Sequence, residues 1–358
     1  MSSTYPPVTE ARAAGVTATL PASAANPVVV EVTRGTMVES RHRAAVAVVD
    51  ADGKVVRGWG DIDRPIYGRS AIKPLQALPL IESGAADRYG LGDAEIALAC
   101  ASHNGEPRHV ELVGAWLARI GCTIGDLECG GQWPSHDATV AALHRAGRAP
   151  TAVYNNCSGK HAGFLSTARH LGEPTRGYVR HEHAVQQRIL GTLEQMTGLR
   201  LCDAPRGIDG CGIPVIGVPL GNIAMAMARL ADADDLPPAR AAAARRVLAA
   251  MAAEPFLVAG TDRFCTVVMQ RAGAKAVLKT GAEGVHTAVL PTLGLGVALK
   301  VDDGASRAAE AAMGQVLRHL GILTEADAAF LAETLTPPVR NRAGLETGRV
   351  RPAADCPF

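Results

Sequence analysis

A chain of 358 residues with 36 basic and 35 acidic side chains carries a net charge of +1, so it exerts no sequence-independent pull on nucleic acid or anionic lipid. At 47% hydrophobic and 20% charged it is compositionally globular, and it is long enough to bury a sizeable core. No apolar run reaches the ~18 to 20 residues that a bilayer-crossing helix needs, so no membrane partner is expected.

Residues 1–26 mix Pro, Ala, Ser and Thr without periodicity and read as a flexible tail. The segment has neither the basic start nor the apolar stretch of a secretory signal. A cytoplasmic location is expected, and with it reduced thiols at the eight cysteines. A single domain is expected over residues 27–358. From about 27 to 60, VVVEVTR, MVESRH and AAVAVVDADGKVVRGWGD read as three or four strands, with Asp52-Gly53 as a hairpin turn and Lys54 exposed beside it.

Residues 70–252 are mainly helical in pattern, as in HVELVGAWLARIG, KHAGFLSTARHLG and HAVQQRILGTLEQMTG. His181 and His183 are placed on a solvated helix face, and Met225 and Met227 in an apolar segment, none needing a function. Strand patterns return between about 262 and 301 in RFCTVVMQ, AKAVLKTG, GVHTAVLP and LGVALKV. A helix, ASRAAEAAMGQVLRHLG, follows, and the end after Thr336 is Pro- and Arg-rich. This order predicts an α+β fold: one mainly antiparallel sheet built from both chain ends, flanking helices and a helical lobe between. Alternating βαβ units are missing, which argues against a Rossmann-type sheet.

Three motifs occur in order: Ser70-Ala71-Ile72-Lys73, Ser102-His103-Asn104 and Lys279-Thr280-Gly281. Read as S-x-x-K, S-x-N and K-T-G, they match the motif set of penicillin-recognising serine enzymes. Ser and Lys three apart share a helix face. Pro74 excludes Ser70 from a helix interior, so the helix is expected to start right after Ser70, with its free amides available to an oxyanion. Gly281 would let a substrate approach the backbone.

A lysine acts as a base only when neutral, and at an ordinary pKa of ~10.4 about one in 2,500 is neutral at pH 7. Burial or a second cation must lower that pKa. Arg cannot substitute. Of the 36 basic side chains only six are lysines, and three of those fall in motifs.

The third motif lysine lies in Asn155-Asn156-Cys157-Ser158-Gly159-Lys160-His161, followed later by Ile208-Asp209-Gly210-Cys211-Gly212. Two thiols and a nitrogen donor could hold a borderline metal such as zinc. From spacing alone, cysteines packing as small hydrophobes is the better reading. Cys265 stays ambiguous between strand packing and the border of a cleft.

GRSAIKPLQALPL, CASHNGE, NNCSGKHAGFL, DGCGIP and KTGAEGV together resemble, in order, the signature segments of the class 3 L-asparaginases, the Rhizobium etli type or asparaginase II family. The resemblance runs from about Pro27 to Arg349, and the N-terminal tail has no counterpart in it. It implies a fold similar to serine β-lactamases and serine-type glutaminases, a homodimer, and hydrolysis of L-asparagine to L-aspartate and ammonia.

By motif, the resemblance implies catalytic Ser70 with Lys73 and Ser102 with Lys279, and a zinc held by Cys157, Lys160 and Cys211. It also implies that Asp209 and His161 lie near the substrate and the metal, with Arg69 flanking the first serine; we count Arg69, His103, Asn104, His161, Asp209 and Gly281 as the candidate substrate-binding residues. Which serine attacks is left open. The alternatives are a β-lactamase or penicillin-binding-like acyl hydrolase, a serine-type glutaminase, and a non-catalytic metal-binding protein.

Overall fold

The computed structural model describes residues 26–358, so the predicted tail lies almost wholly outside the described residues. Both chain ends feed one sheet. Its strands are β1 (Val28–Arg34), β2 (Met37–Asp50), β3 (Val55–Trp59), β7 (Val277–Thr280), β8 (Val285–Leu290), β9 (Leu295–Val301), β10 (Pro338–Arg340) and β11 (Glu346–Pro352). The order is β10-β11-β1-β2-β9-β8-β7, with β3 paired to β2. All these pairings are antiparallel.

The long strand β2 shows why the sheet needs cover on both sides. Its first half alternates between solvent and interior, whereas Ala44 to Val49 are buried without a break. An unbroken buried run requires helices against both faces. The helix Leu220–Ala231 packs on β2, β8 and β9, and the helix Ser306–His319 on β1, β8, β9 and β11. Small residues make this closeness possible: a Cβ at Gly296 would sit 2.0 Å from the Ala224 carbonyl oxygen.

The predicted hairpin holds. Gly53, at φ +88, makes the turn between β2 and β3, and Lys54 is exposed. Two expectations are corrected, and one segment that carried none is resolved. RFCTVVMQ, taken for a strand, lies in the helix Phe264–Ala272, which buries Cys265; its apolar run suits a buried helix as well as a strand. His183 is no face residue but the N-cap of the helix Ala184–Thr197, its ring accepting from the Val185 amide at 3.2 Å. The Pro- and Arg-rich end forms β10 and β11, the edge of the sheet, where proline is tolerated.

Inside the helical block sits a small sheet of β4 (Pro65–Tyr67), β5 (Arg206–Ile208) and β6 (Pro214–Pro219), in the order β4-β6-β5. It places the segment leading to Ser70 beside the hairpin carrying Asp209 and Cys211. All eight cysteines are free thiols. Among the described residues no helix is long and apolar enough to cross a membrane.

Candidate active site

The first motif begins at a strained point. Arg69 has φ +47, a left-handed conformation that a side chain disfavours by about 1–2 kcal/mol. Surrounding contacts hold it there: its Nε and Nη2 donate to Asp209 Oδ1 at 2.9 and 2.8 Å. Arg69–Ile72 form a 3₁₀ turn, and the α-helix Lys73–Gln76 follows. The helix therefore starts later than predicted. Pro74 is tolerated because it falls in the first turn, where no amide donor is required. Ser70 sits inside the turn, half-buried, and the Ala71 amide is already given to the Gly68 carbonyl at 3.1 Å.

Lys73 and Lys279 are both buried, at 0% and 1% exposure. Among the described residues, the hydrogen bonds of Lys73 Nζ run to the Ala101 carbonyl and, at 3.1 Å, to Ser102 Oγ, not to Ser70. Lys279, on the edge strand β7, reaches the same oxygen at 2.8 Å and the Thr280 carbonyl at 2.6 Å. The two lysines thus converge on one serine, where the motifs suggested two separate pairs. Burial first, then the charge of Lys73, brings the Lys279 pKa down to about 7.

β7 is fitted closely to the Ser70 turn. A Cβ at Gly281 would meet the Ala71 nitrogen at 3.0 Å and the Gly68 carbonyl oxygen at 3.2 Å. The hydroxyl of Thr287, directly across from Lys279 in the β7–β8 register, donates to the Ala71 carbonyl at 2.9 Å. Thr287 carries no motif and was missed by sequence reasoning. The signal was the hairpin register, which places it opposite the lysine.

Ser102 lies in a loop whose neighbours are fixed by the backbone: its amide donates to Val258 and that of Asn104 to Ala259. The Asn104 side chain is buried, with its Oδ1 packed against Gly260, where a Cβ would come within 2.2 Å. The His103 ring has both nitrogens engaged within the protein, Nε2 with Ser158 Oγ at 2.9 Å and Nδ1 with the Gly105 amide at 3.2 Å. Arg69, Asp209 and Gly281 border the Ser70 turn, whereas His103 and Asn104 belong to the loop behind Ser102.

The second constellation also gathers. Cys157 precedes the helix Ser158–Leu171, whose first turn carries Lys160 and His161. Lys160 Nζ lies 3.1 Å from Cys211 Sγ, and all three site residues are buried. The hydrogen bond with Cys211 and the charge of Lys160 pull the Cys157 thiol well below its ordinary pKa against burial, while that bond and burial push Cys211 up. Burial pulls Lys160 down, but the two sulfurs outweigh it and hold the amine above its usual value.

His161, fully buried, hydrogen-bonds the Tyr178 hydroxyl through Nδ1 at 2.9 Å, and its Nε2 has no partner among the described residues. Burial, followed by the charges of Lys160 and Lys73, keeps the ring neutral. Two thiols and a lysine amine are donor types that zinc accepts, although among the described residues no group of three His, Cys, Asp or Glu side chains is gathered closely enough to hold a metal ion.

A model of the L-asparaginase II family matches residues 30–352. No curated protein matches the chain. Solved structures that it resembles include Mglu, at 15% identity over 84% of this chain and 72% of that chain, with a TM-score of 0.44. A β-lactamase from Mycobacterium bovis is 16% identical over 77% of this chain and 94% of that one, with a TM-score of 0.38. The D-alanine carboxypeptidase AmpC from Burkholderia cenocepacia is 14% identical over 76% and 93%, with a TM-score of 0.34. At these values the likenesses carry nothing about activity. The family model, spanning nearly the whole described chain, does: the protein belongs to the L-asparaginase II family and is an amidohydrolase of asparagine.

Proposed function

We propose that the chain converts L-asparagine to L-aspartate and ammonia through an acyl-enzyme, with two lysines moving protons across Ser102. The observation that carries this reading is the convergence of two buried amines on one oxygen, at 3.1 and 2.8 Å. Two ammonium ions this close in a site of low dielectric repel each other, so one must be neutral. Lys279, at about 7, is that one.

In the resting site Lys73 donates to Ser102 Oγ and Ser102 donates to neutral Lys279. Moving one proton along each bond leaves Lys73 neutral and Lys279 charged, with the total unchanged. Lys73, one turn from Ser70, then takes the Ser70 proton as Oγ attacks the side-chain carboxamide carbon. When the C–N bond breaks, Lys279 returns its proton through Ser102 to the departing ammonia. The protons then shift once more along the Lys73–Ser102–Lys279 bonds, leaving Lys73 neutral and Lys279 charged. Water gives a proton to Lys73 as it attacks the β-aspartyl ester, Lys73 passes that proton to the departing Ser70 oxygen, and a return shift from Lys279 restores the resting site. Arg69 and Asp209 present opposite charges beside Ser70, suited to the α-carboxylate and α-ammonium of an amino-acid substrate.

Cys157, Lys160 and Cys211 are the residues that would hold zinc. When bound, the metal supplies a Lewis-acid charge that can orient the substrate's α-groups or polarise a water. A homodimer belongs to the same reading, supported by the family resemblance; light scattering tests the dimer.

Mass spectrometry of acid-quenched turnover tests the acyl-enzyme. An aspartyl adduct on Ser70, absent from Ser70→Ala, is expected. An adduct on Ser102 that survives in Ser70→Ala would reverse the two serines' roles.

A further inference from the structure

The hydrogen bonds around His103 can run in only one direction. The Gly105 amide can only donate, and it lies 3.2 Å from Nδ1. The Val153 carbonyl can only accept, and it lies 2.9 Å from Ser158 Oγ. Between these ends, Nε2 and Ser158 Oγ are 2.9 Å apart. The amide must therefore give to Nδ1, Nε2–H to the hydroxyl, and the hydroxyl to the carbonyl. That fixes one neutral tautomer.

The ring is also held by stacking: it lies 4.8 Å from the His109 ring at an interplanar angle of 10°, and His109 lies 4.7 Å from the Phe256 ring. In addition the His103 amide donates to the Asn156 carbonyl at 3.3 Å. The residue that follows Ser102 is thus bonded, through backbone and side chain, to both residues that flank Cys157.

We propose that His103 is a positioning residue, a strut that holds Ser102 Oγ between Lys73 and Lys279 by fastening its loop to the start of the helix that carries Lys160. It touches neither substrate nor the reacting atoms. Burial first, then the neighbouring His109 and Lys73, keeps its ring from charging, which preserves the direction of the chain of hydrogen bonds. Because a displacement of about 1 Å at a catalytic group can cost ~10²-fold in rate, loosening this strut should act on turnover, not on substrate affinity. The inference rests on the serine–lysine reading above.

The test is steady-state ammonia release from L-asparagine by Ser158→Ala, His103→Phe, the double variant and Ser102→Ala, with Tm recorded for each. Ser158→Ala is the milder change and keeps the test open if His103→Phe folds poorly. Each single variant is expected to lower kcat ~10- to 100-fold with KM within about 2-fold, and the double variant to be no worse than about the poorer single one. A kcat at the wild-type level with only a lower Tm would make the contact merely structural. A raised KM with intact kcat would make His103 a substrate contact, and losses that multiply would deny the coupling. An inactive Ser102→Ala beside fully active His103 and Ser158 variants removes the strut alone. A fully active Ser102→Ala removes the serine–lysine reading and the strut with it.

Discussion

Lys279 Nζ lies 2.8 Å from Ser102 Oγ, although the two residues are 177 positions apart in the chain. The sheet creates the contact: β7 is its edge strand, free on one side to face the helical block that carries Ser102. Burial and the nearby Lys73 bring Lys279 to about pKa 7.

Activity should therefore follow that titration. The competent form is the neutral amine, so activity is gained as pH rises through the lowered pKa. kcat/KM should climb between about pH 6 and 8, as the neutral fraction goes from roughly a tenth to nine-tenths. The value observed belongs to the coupled lysines together. A profile that is flat from about pH 5.5 to 8.5 would contradict the assignment.

Gly281→Ala should separate turnover from folding. The added Cβ would meet backbone atoms of Ala71 and Gly68 at 3.0 and 3.2 Å, and backbone on both sides cannot give way cheaply. Stability should fall by about 1–3 kcal/mol. kcat should fall ~10-fold or more as β7 moves off the Ser70 turn. Chemical denaturation and steady-state rates read the two effects.

The Arg69 turn stores strain that can be measured. Glycine adopts φ +47 without penalty whereas alanine does not, so Arg69→Gly should be more stable than Arg69→Ala by about 1 kcal/mol. Both variants should lose kcat/KM, as should Asp209→Ala, which removes the partner of the Arg69 guanidinium. Equal stability of Gly and Ala at position 69 would show that the turn is not strained.

Purified, dialysed protein should contain about one zinc per chain by elemental analysis, and Cys211→Ser and Lys160→Met should lose it. Fully active wild type without zinc would remove the metal from the account.

The sheet's two halves were legible because strand periodicity is local, and so were the motif residues, because their chemistry is carried by type and spacing. What was not legible depends on long-range geometry. S-x-x-K sets Ser70 beside Lys73, since helix spacing is the only proximity a sequence displays; that Lys73 Nζ also reaches Ser102 Oγ, 29 positions away, is visible only in the structure. Thr287 has no motif and acquires its role only from its register opposite Lys279. RFCTVVMQ misled because a short apolar run fits a buried helix and a strand equally well. The β10–β11 edge was hidden by prolines that an interior strand would not accept.

The central claim is that a neutral lysine carries the proton, and ammonia release from L-asparagine by wild type, Lys73→Arg and Lys279→Arg tests it most directly, with folding checked by circular dichroism. Arginine keeps the charge and cannot lose its proton. The account predicts that both folded variants lose ~10²-fold or more in kcat. Near-wild-type kcat in both would contradict it.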